Sequence, residues 1–325
     1  MKIVFAPSIA PGAWAIGESL LPKGFTIEIL SKGPDRRVEQ LETADFYMGF
    51  RGGLTARDYD HMGNLKLIQL LSAGYDGMDI ERLRQIGVPL SNNGGANSYA
   101  VAEHAIMLML AVSRQLPDLD RLLRSGQWKS SKTGEEEEHE IAGKTIGIIG
   151  LGFIGKTLAR RLSGFEVKLL YTDPVRPLPE EAARLNVAYR ELDALLRESD
   201  IVTLHAPFDA STHHMICERT LSLMKRDAIL INCARGELVD EAALYAALKE
   251  RRIWAAGLDT FEKEPPDPRN PLFTLPNVVL SPHAAGPTWE SWAKAFRNGF
   301  DNIQRVARGG APLWVVPELR ESSSA

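Results

Sequence analysis

Short apolar runs alternate with polar, helix-compatible stretches along nearly the whole chain. In the first hundred residues, KIVFA (2–6), FTIEIL (25–30), DFYMGF (45–50), LKLIQLLS (65–72) and VPLSN (88–92) predict five strands. Apolar strands separated by helices imply right-handed crossovers and a parallel sheet covered on both faces, here a flavodoxin-like unit. Residues 98–116 are rich in Ala, Leu and Met and predict a long helix, with Ser98 as its N-cap and Pro117 as its stop. The alternation restarts at Lys144. TIGIIG (145–150), EVKLLYTD (166–173), VAY (187–189), DIVTLHAP (200–207), DAILINCA (227–234), WAAGLD (254–259) and NVVLSPH (277–283) predict a second, larger doubly wound sheet. A further helix is expected over 288–307, ended by Gly309 and Gly310, with a mobile ESSSA tail.

Composition narrows the function classes. The 325 residues suggest two domains, and 38 basic against 42 acidic side chains give a formal charge of -4. Such a surface offers no general attraction for nucleic acid or an anionic membrane. The longest strongly apolar stretch, Ala105 to Val112, is too short to cross a bilayer, and the N-terminus does not read as a signal peptide. Cys217 and Cys233 stand alone, which points to reduced thiols and a cytoplasmic protein. No metal site is expected. Glu135 to Glu138 read as a solvated loop, His213 and His214 as neighbours on different faces, His61 and His139 as surface residues, and His104 as a packed or interface residue.

The clearest mechanism lies at Gly150, Gly152 and Gly155, a GxGxxG string that follows an apolar strand and opens the helix FIGKTLARRLS. The glycines permit a tight turn and close approach of backbone to a pyrophosphate, whose charge sits at the helix N-terminus. A second strand ends at Asp173, placed to accept hydrogen bonds from the adenosine ribose. A carboxylate there repels a 2′-phosphate, so NAD is expected over NADP, although Arg176 lies three residues on.

With this turn, the motifs LLSAGYDGMD (70–79), NNGGANSYAVAEHAI (92–106), INCARGELVDEAAL (231–244), GLDTFEKEP (257–265) and SPHAAG (281–286) resemble the D-isomer-specific 2-hydroxyacid dehydrogenase family across most of the chain. The resemblance implies a Rossmann NAD-binding domain over 99–286 inserted into a substrate domain of 1–98 and 287–325, with a cleft between them. It implies a catalytic set of Arg235, Glu264 and His283. A guanidinium fork suits a 2-oxo acid carboxylate, a histidine can exchange a proton with the carbonyl oxygen, and a carboxylate can orient the ring and favour its charged form. Phe153, Ile154, His205, Ala206, Pro207, Cys233, Ala234, Asp259 and Gly286 carry over as cofactor-lining positions, Cys233 as a packed, unreactive thiol. Ser72, Ala73 and Gly74 carry over as a substrate-carboxylate loop.

The implied reaction is hydride transfer between NAD(H) and a small 2-oxo or 2-hydroxy acid, with glyoxylate or hydroxypyruvate as leading substrates, in a homodimer built on the helix around 100–114. Formate oxidation would want glutamine in place of Glu264. Phosphite oxidation and a non-catalytic, NAD-binding corepressor role stay open. Arg51 and Leu54 give conflicting indications for the substrate side chain, one favouring a polar or acidic and the other a small apolar group.

Overall fold

The computed structural model describes residues 1–128 and 138–320. They form two compact units, Met1–Asn97 with Pro287–Ala325 and Ser98–Gly286. In the first unit the strands are β1 (Lys2–Ala6), β2 (Thr26–Ile29), β3 (Phe46–Gly49), β4 (Leu67–Leu70) and β5 (Leu90–Ser91). They pair in parallel in the order β2-β1-β3-β4-β5. Successive residues of β1 serve opposite faces, as strand geometry requires. Ile3 and Phe5 pack with Phe296, Phe300 and Ile303 of the helix Trp289–Ala307. Val4 packs with Leu41, Ile68 and Leu83 on the other face. Thr288 caps the helix Trp289–Ala307, accepting the Ser291 N–H.

The second unit holds β6 (Thr145–Ile149), β7 (Lys168–Thr172), β8 (Val187–Tyr189), β9 (Ile201–Leu204), β10 (Ile229–Asn232), β11 (Ala255–Leu258) and β12 (Val278–Leu280). Their order, β12-β11-β10-β9-β6-β7-β8, is again parallel and reverses direction of growth between β6 and β9. In open α/β sheets that reversal opens a crevice at the carboxyl ends of the strands. One face buries Ile146, Ile148, Ile201 and Ile231 against Val101, Ala105 and Leu108 of the helix Ser98–Ser113. The other buries Leu170, Val202, Leu230 and Leu258 against Leu195, Leu196, Leu244 and Leu248.

The long helix is a correction. It begins at Ser98 itself and ends at Ser113; Gln115 turns into the left-handed region, and Pro117 sits in the first turn of a new helix, Leu116–Arg124. Proline is tolerated there because a first-turn N–H has no helical partner to lose, so Pro117 starts a helix where a stop was expected. His213 and His214 do not diverge: His214 takes φ +49 and the two rings stack at 3.9 Å. His139 is not a plain surface residue, since its ring packs edge-on to Trp254 and its Nε2 is buried. Glu135 to Glu137 and the ESSSA tail lie outside the described residues. Among the described residues no helix is long and apolar enough to cross a membrane.

Candidate active site

Gly150 ends β6 at the crevice and takes φ +94. A Cβ at this position would lie 2.6 Å from Ala206 N and from the His205 carbonyl carbon, so the turns after β6 and β9 touch backbone to backbone. Gly155 closes against the Gly150 carbonyl in the same way, while the space before Gly152 is open. The helix Phe153–Leu162 starts here with no side-chain cap and no acid in its first turn, which leaves its N-terminal dipole facing that space. Asp173, just past β7, accepts the N–H groups of Leu151 and Val175, each at 2.7 Å. His205 contributes an orphan. Its Nε2 meets Thr203 Oγ1 at 2.9 Å, whereas its Nδ1 is buried without a partner among the described residues. Burial pushes its pKa down to about 3, so the ring is neutral at physiological pH. An open helix N-terminus, a glycine turn, a carboxylate at the end of the next strand and an unmet nitrogen fit a dinucleotide.

Further along the same carboxyl edge, β10, β11 and β12 each deliver one or more polar groups. Arg235 follows β10, and the turn is fixed by Asn232, whose amide donates to the Arg235 carbonyl at 2.8 Å and accepts the Ala234 N–H at 3.0 Å. Gly236 has no room for a side chain: a Cβ would fall 1.8 Å from the Phe261 carbonyl carbon. That contact seats the Arg235 turn on the segment that carries Glu264. Glu264 Oε2 lies 2.6 Å from His283 Nδ1, and its Oε1 accepts the Phe261 N–H at 3.2 Å. Burial opposes its ionisation, but the His283 hydrogen bond and charge and the nearby Arg235 hold its pKa below the usual carboxylate range. Burial depresses the Arg235 pKa, opposed by Glu237 and Glu264, and the guanidinium remains a cation. His283 takes φ +52, a region a residue with a side chain enters at a cost of roughly 1 kcal/mol or more. An ionised carboxylate on one imidazole nitrogen leaves the other as the site of proton exchange.

The sequence model for "D-isomer specific 2-hydroxyacid dehydrogenase, NAD binding domain" matches residues 106–285. The chain belongs to that family. The dehydrogenase is 41% identical over 268 residues to the glyoxylate reductase of Thermofilum pendens, covering 81% of this chain and 78% of that one. Among solved structures it resembles an acyclic imino acid reductase in complex with NADPH and D-Arg (TM-score 0.83, 31% identity, 97% and 100% of the two chains). It also resembles D-lactate dehydrogenase with NAD+ from Lactobacillus jensenii (TM-score 0.80, 28% identity, 97% and 99%). It is an oxidoreductase with a dinucleotide-binding Rossmann domain, acting on D-2-hydroxyacids.

Most of the dehydrogenase's expected site residues gather on this one edge: Gly150 to Gly155, Asp173, His205 to Pro207, Cys233 to Arg235, Asp259, Glu264 and His283 to Gly286 all belong to the Ser98–Gly286 unit. Burial pushes the Cys233 thiol up, which makes it inert. Ser72, Ala73 and Gly74 belong to the other unit, just past β4, where the Ser72 hydroxyl donates to the Gly74 carbonyl at 2.9 Å. Arg51 of that unit is ion-paired with Asp76. Two residues with a bearing on the site were not assigned to it from sequence. His104 and Ser281 meet at 2.8 Å beneath the His283 turn, 177 positions apart along the chain, and no local pattern marks that contact.

Proposed function

We propose that this dehydrogenase reduces a small 2-oxo acid to the D-2-hydroxy acid with NADH, glyoxylate or hydroxypyruvate being the expected substrates. The observation that carries this reading is the 2.6 Å Glu264–His283 pair set beside Arg235 at the carboxyl edge of the sheet. Arg235 holds the substrate carboxylate through its planar fork and keeps the carbonyl near the imidazole. Glu264 accepts the Nδ1–H of His283, so the Nε2 proton of the imidazolium is the one passed to the carbonyl oxygen; in oxidation the neutral Nε2 takes the hydroxyl proton back. A dinucleotide with its pyrophosphate held at the Gly150 turn would supply or accept the hydride through its nicotinamide. Carboxylate in place of amide at position 264 supports proton exchange over formate oxidation.

A preference for NAD rests on Asp173 and on Arg176, whose guanidinium stacks 3.8 Å from the Tyr189 ring centroid with Glu191 4.0 Å away. That stacking engages the cation that would otherwise meet a 2′-phosphate. Dimerisation through the helix Ser98–Ser113 and its successor is supported by Met107, Leu116 and Leu123, each at least half exposed. Light scattering on the purified chain checks that mass. The decisive assay follows NADH absorbance with glyoxylate, hydroxypyruvate, pyruvate, oxaloacetate and phenylpyruvate, repeated with NADPH. Turnover of the small acids, with kcat/KM at least tenfold higher for NADH, is expected. Silence across the panel, or equal efficiency with NADPH, would overturn the corresponding half of the proposal.

A further inference from the structure

His104 and Ser281, to which no role is given above, form a polar chain with Asp259. His104 stands on the helix Ser98–Ser113 among buried Val101, Ala105 and Leu108. Its Nε2 is 2.8 Å from Ser281 Oγ and 3.4 Å from Asp259 Oδ1, and Ser281 Oγ is 2.6 Å from the same Oδ1. The direction of each bond follows from chemistry. An ionised carboxylate only accepts, so the Ser281 hydroxyl donates to Asp259 and its single proton is spent. His104 therefore carries its proton on Nε2 and donates it to Ser281 Oγ.

The far end of this chain is the catalytic turn. The Asp259 side chain is 1% exposed, and a buried charge persists only where donors meet its lone pairs. Those donors are Ser281, the Ala284 N–H at 2.8 Å and the Ala285 N–H at 3.0 Å, while the Asp259 carbonyl accepts the His283 N–H at 2.7 Å. Three consecutive amides, 283 to 285, are thus tied to one aspartate, and the first belongs to the residue held at φ +52. A strained backbone of this kind needs surroundings that over-determine it.

We infer that His104 is a positioning residue, which acts through Ser281 and Asp259 to fix the backbone of His283–Ala285 and hence the aim of the His283 imidazole. Its catalytic side rests on the functional reading above; the structural coupling does not. Leucine at 104 would match the apolar helix face yet leave Ser281 Oγ without a donor, whereas glutamine can present an N–H near the same place.

The test uses the full chain as His104→Leu, His104→Gln and Ser281→Ala. Amide hydrogen exchange, read by mass spectrometry without cofactor, should quicken at least tenfold at residues 283–285 in His104→Leu and Ser281→Ala and stay near wild type in His104→Gln. With NADH and the best oxo acid, the first two should lose about tenfold in kcat with the oxo-acid KM within twofold, and His104→Gln should retain kcat. Should His104→Leu fail to fold, Ser281→Ala breaks the chain at its middle and carries the test. Wild-type exchange and kcat in His104→Leu, or in Ser281→Ala, would overturn the proposal. So would a glutamine variant as damaged as the leucine one, which would reduce His104 to packing. A wild-type chain that reduces no 2-oxo acid would overturn the functional reading and the catalytic half of this one; the exchange data would still decide the structural half.

Discussion

The turns after β6 and β12 both bend the chain at positive φ where a parallel strand ends, but they are supported in opposite ways. At Gly150, with φ +94, the residue has no Cβ, and the space a Cβ would take is filled by the backbone of His205 and Ala206. Three glycines within six residues and one aspartate at the end of the next strand specify that shape, so the support is local. At His283, with φ +52, the side chain is the point of the turn and glycine would remove it. The conformation is instead imposed from outside by Asp259, whose carbonyl and carboxylate take the N–H groups of residues 283, 284 and 285. Binding a common cofactor group can be written into a short string. Aiming the imidazole proposed to exchange the proton takes a network spread over distant parts of the chain.

The largest effect should come from removing the imidazole while keeping its backbone. Asparagine tolerates left-handed φ better than most residues, so His283→Asn leaves the turn and separates its chemistry from its shape. We expect kcat to fall about a thousandfold, within the range for loss of a general acid, with NADH affinity changed only a few-fold and the melting temperature retained. Steady-state kinetics with an NADH titration check this, and a variant within tenfold of wild type would break the comparison on the β12 side.

The second effect belongs to the β6 turn. In Gly150→Ala the new methyl meets backbone, which cannot rotate aside as a side chain would, and the substituted residue is strained at φ +94. NADH affinity should fall about a hundredfold, equivalent to about 2.7 kcal/mol. Nucleotide fluorescence titration measures it; wild-type binding would show that the turn does not need its glycine.

What could be read in advance follows the same division. The central strands were legible because both faces of each sheet are covered there, which makes Ile146–Ile149 wholly apolar and leaves Leu67–Leu70 interrupted only by the buried Gln69. Their ends were overrun, as 200–207 against Ile201–Leu204 shows, because extended, partly apolar loop residues continue past the last ladder bond. Pro117 was misread for a related reason: the same residue stops one helix or opens another, and sequence alone does not say which. The Gly150 turn and Asp173 were visible as local spacing. Glu264 and His283, by contrast, were drawn from a family resemblance, since their separation has no periodic meaning until a fold brings them to 2.6 Å. His104 and Ser281 had no such help and were missed as a pair.

The smallest predicted effect probes the outside support through its charge. Burial opposes ionisation of Asp259, but the His104 ring 3.4 Å away, the Ser281 hydroxyl and the Ala284 and Ala285 N–H groups together hold its pKa below the ordinary aspartate value. A carboxyl depressed in the folded state adds stability that is full above the unfolded pKa, near 3.9, and is lost as pH falls through the folded one. Asp259→Asn removes the charge and turns one acceptor into a donor that faces other donors. Its cost should be about 2 kcal/mol at pH 7, the scale of hydrogen bonds to a charged group. The gap between wild type and variant should then narrow as pH falls from about 5 towards 3, because protonation strips wild-type Asp259 of the same charge. Urea unfolding at a series of pH values reads both. A gap that stays constant across that window would mean the His283 turn is held by shape alone, and the two turns would differ less than their surroundings suggest.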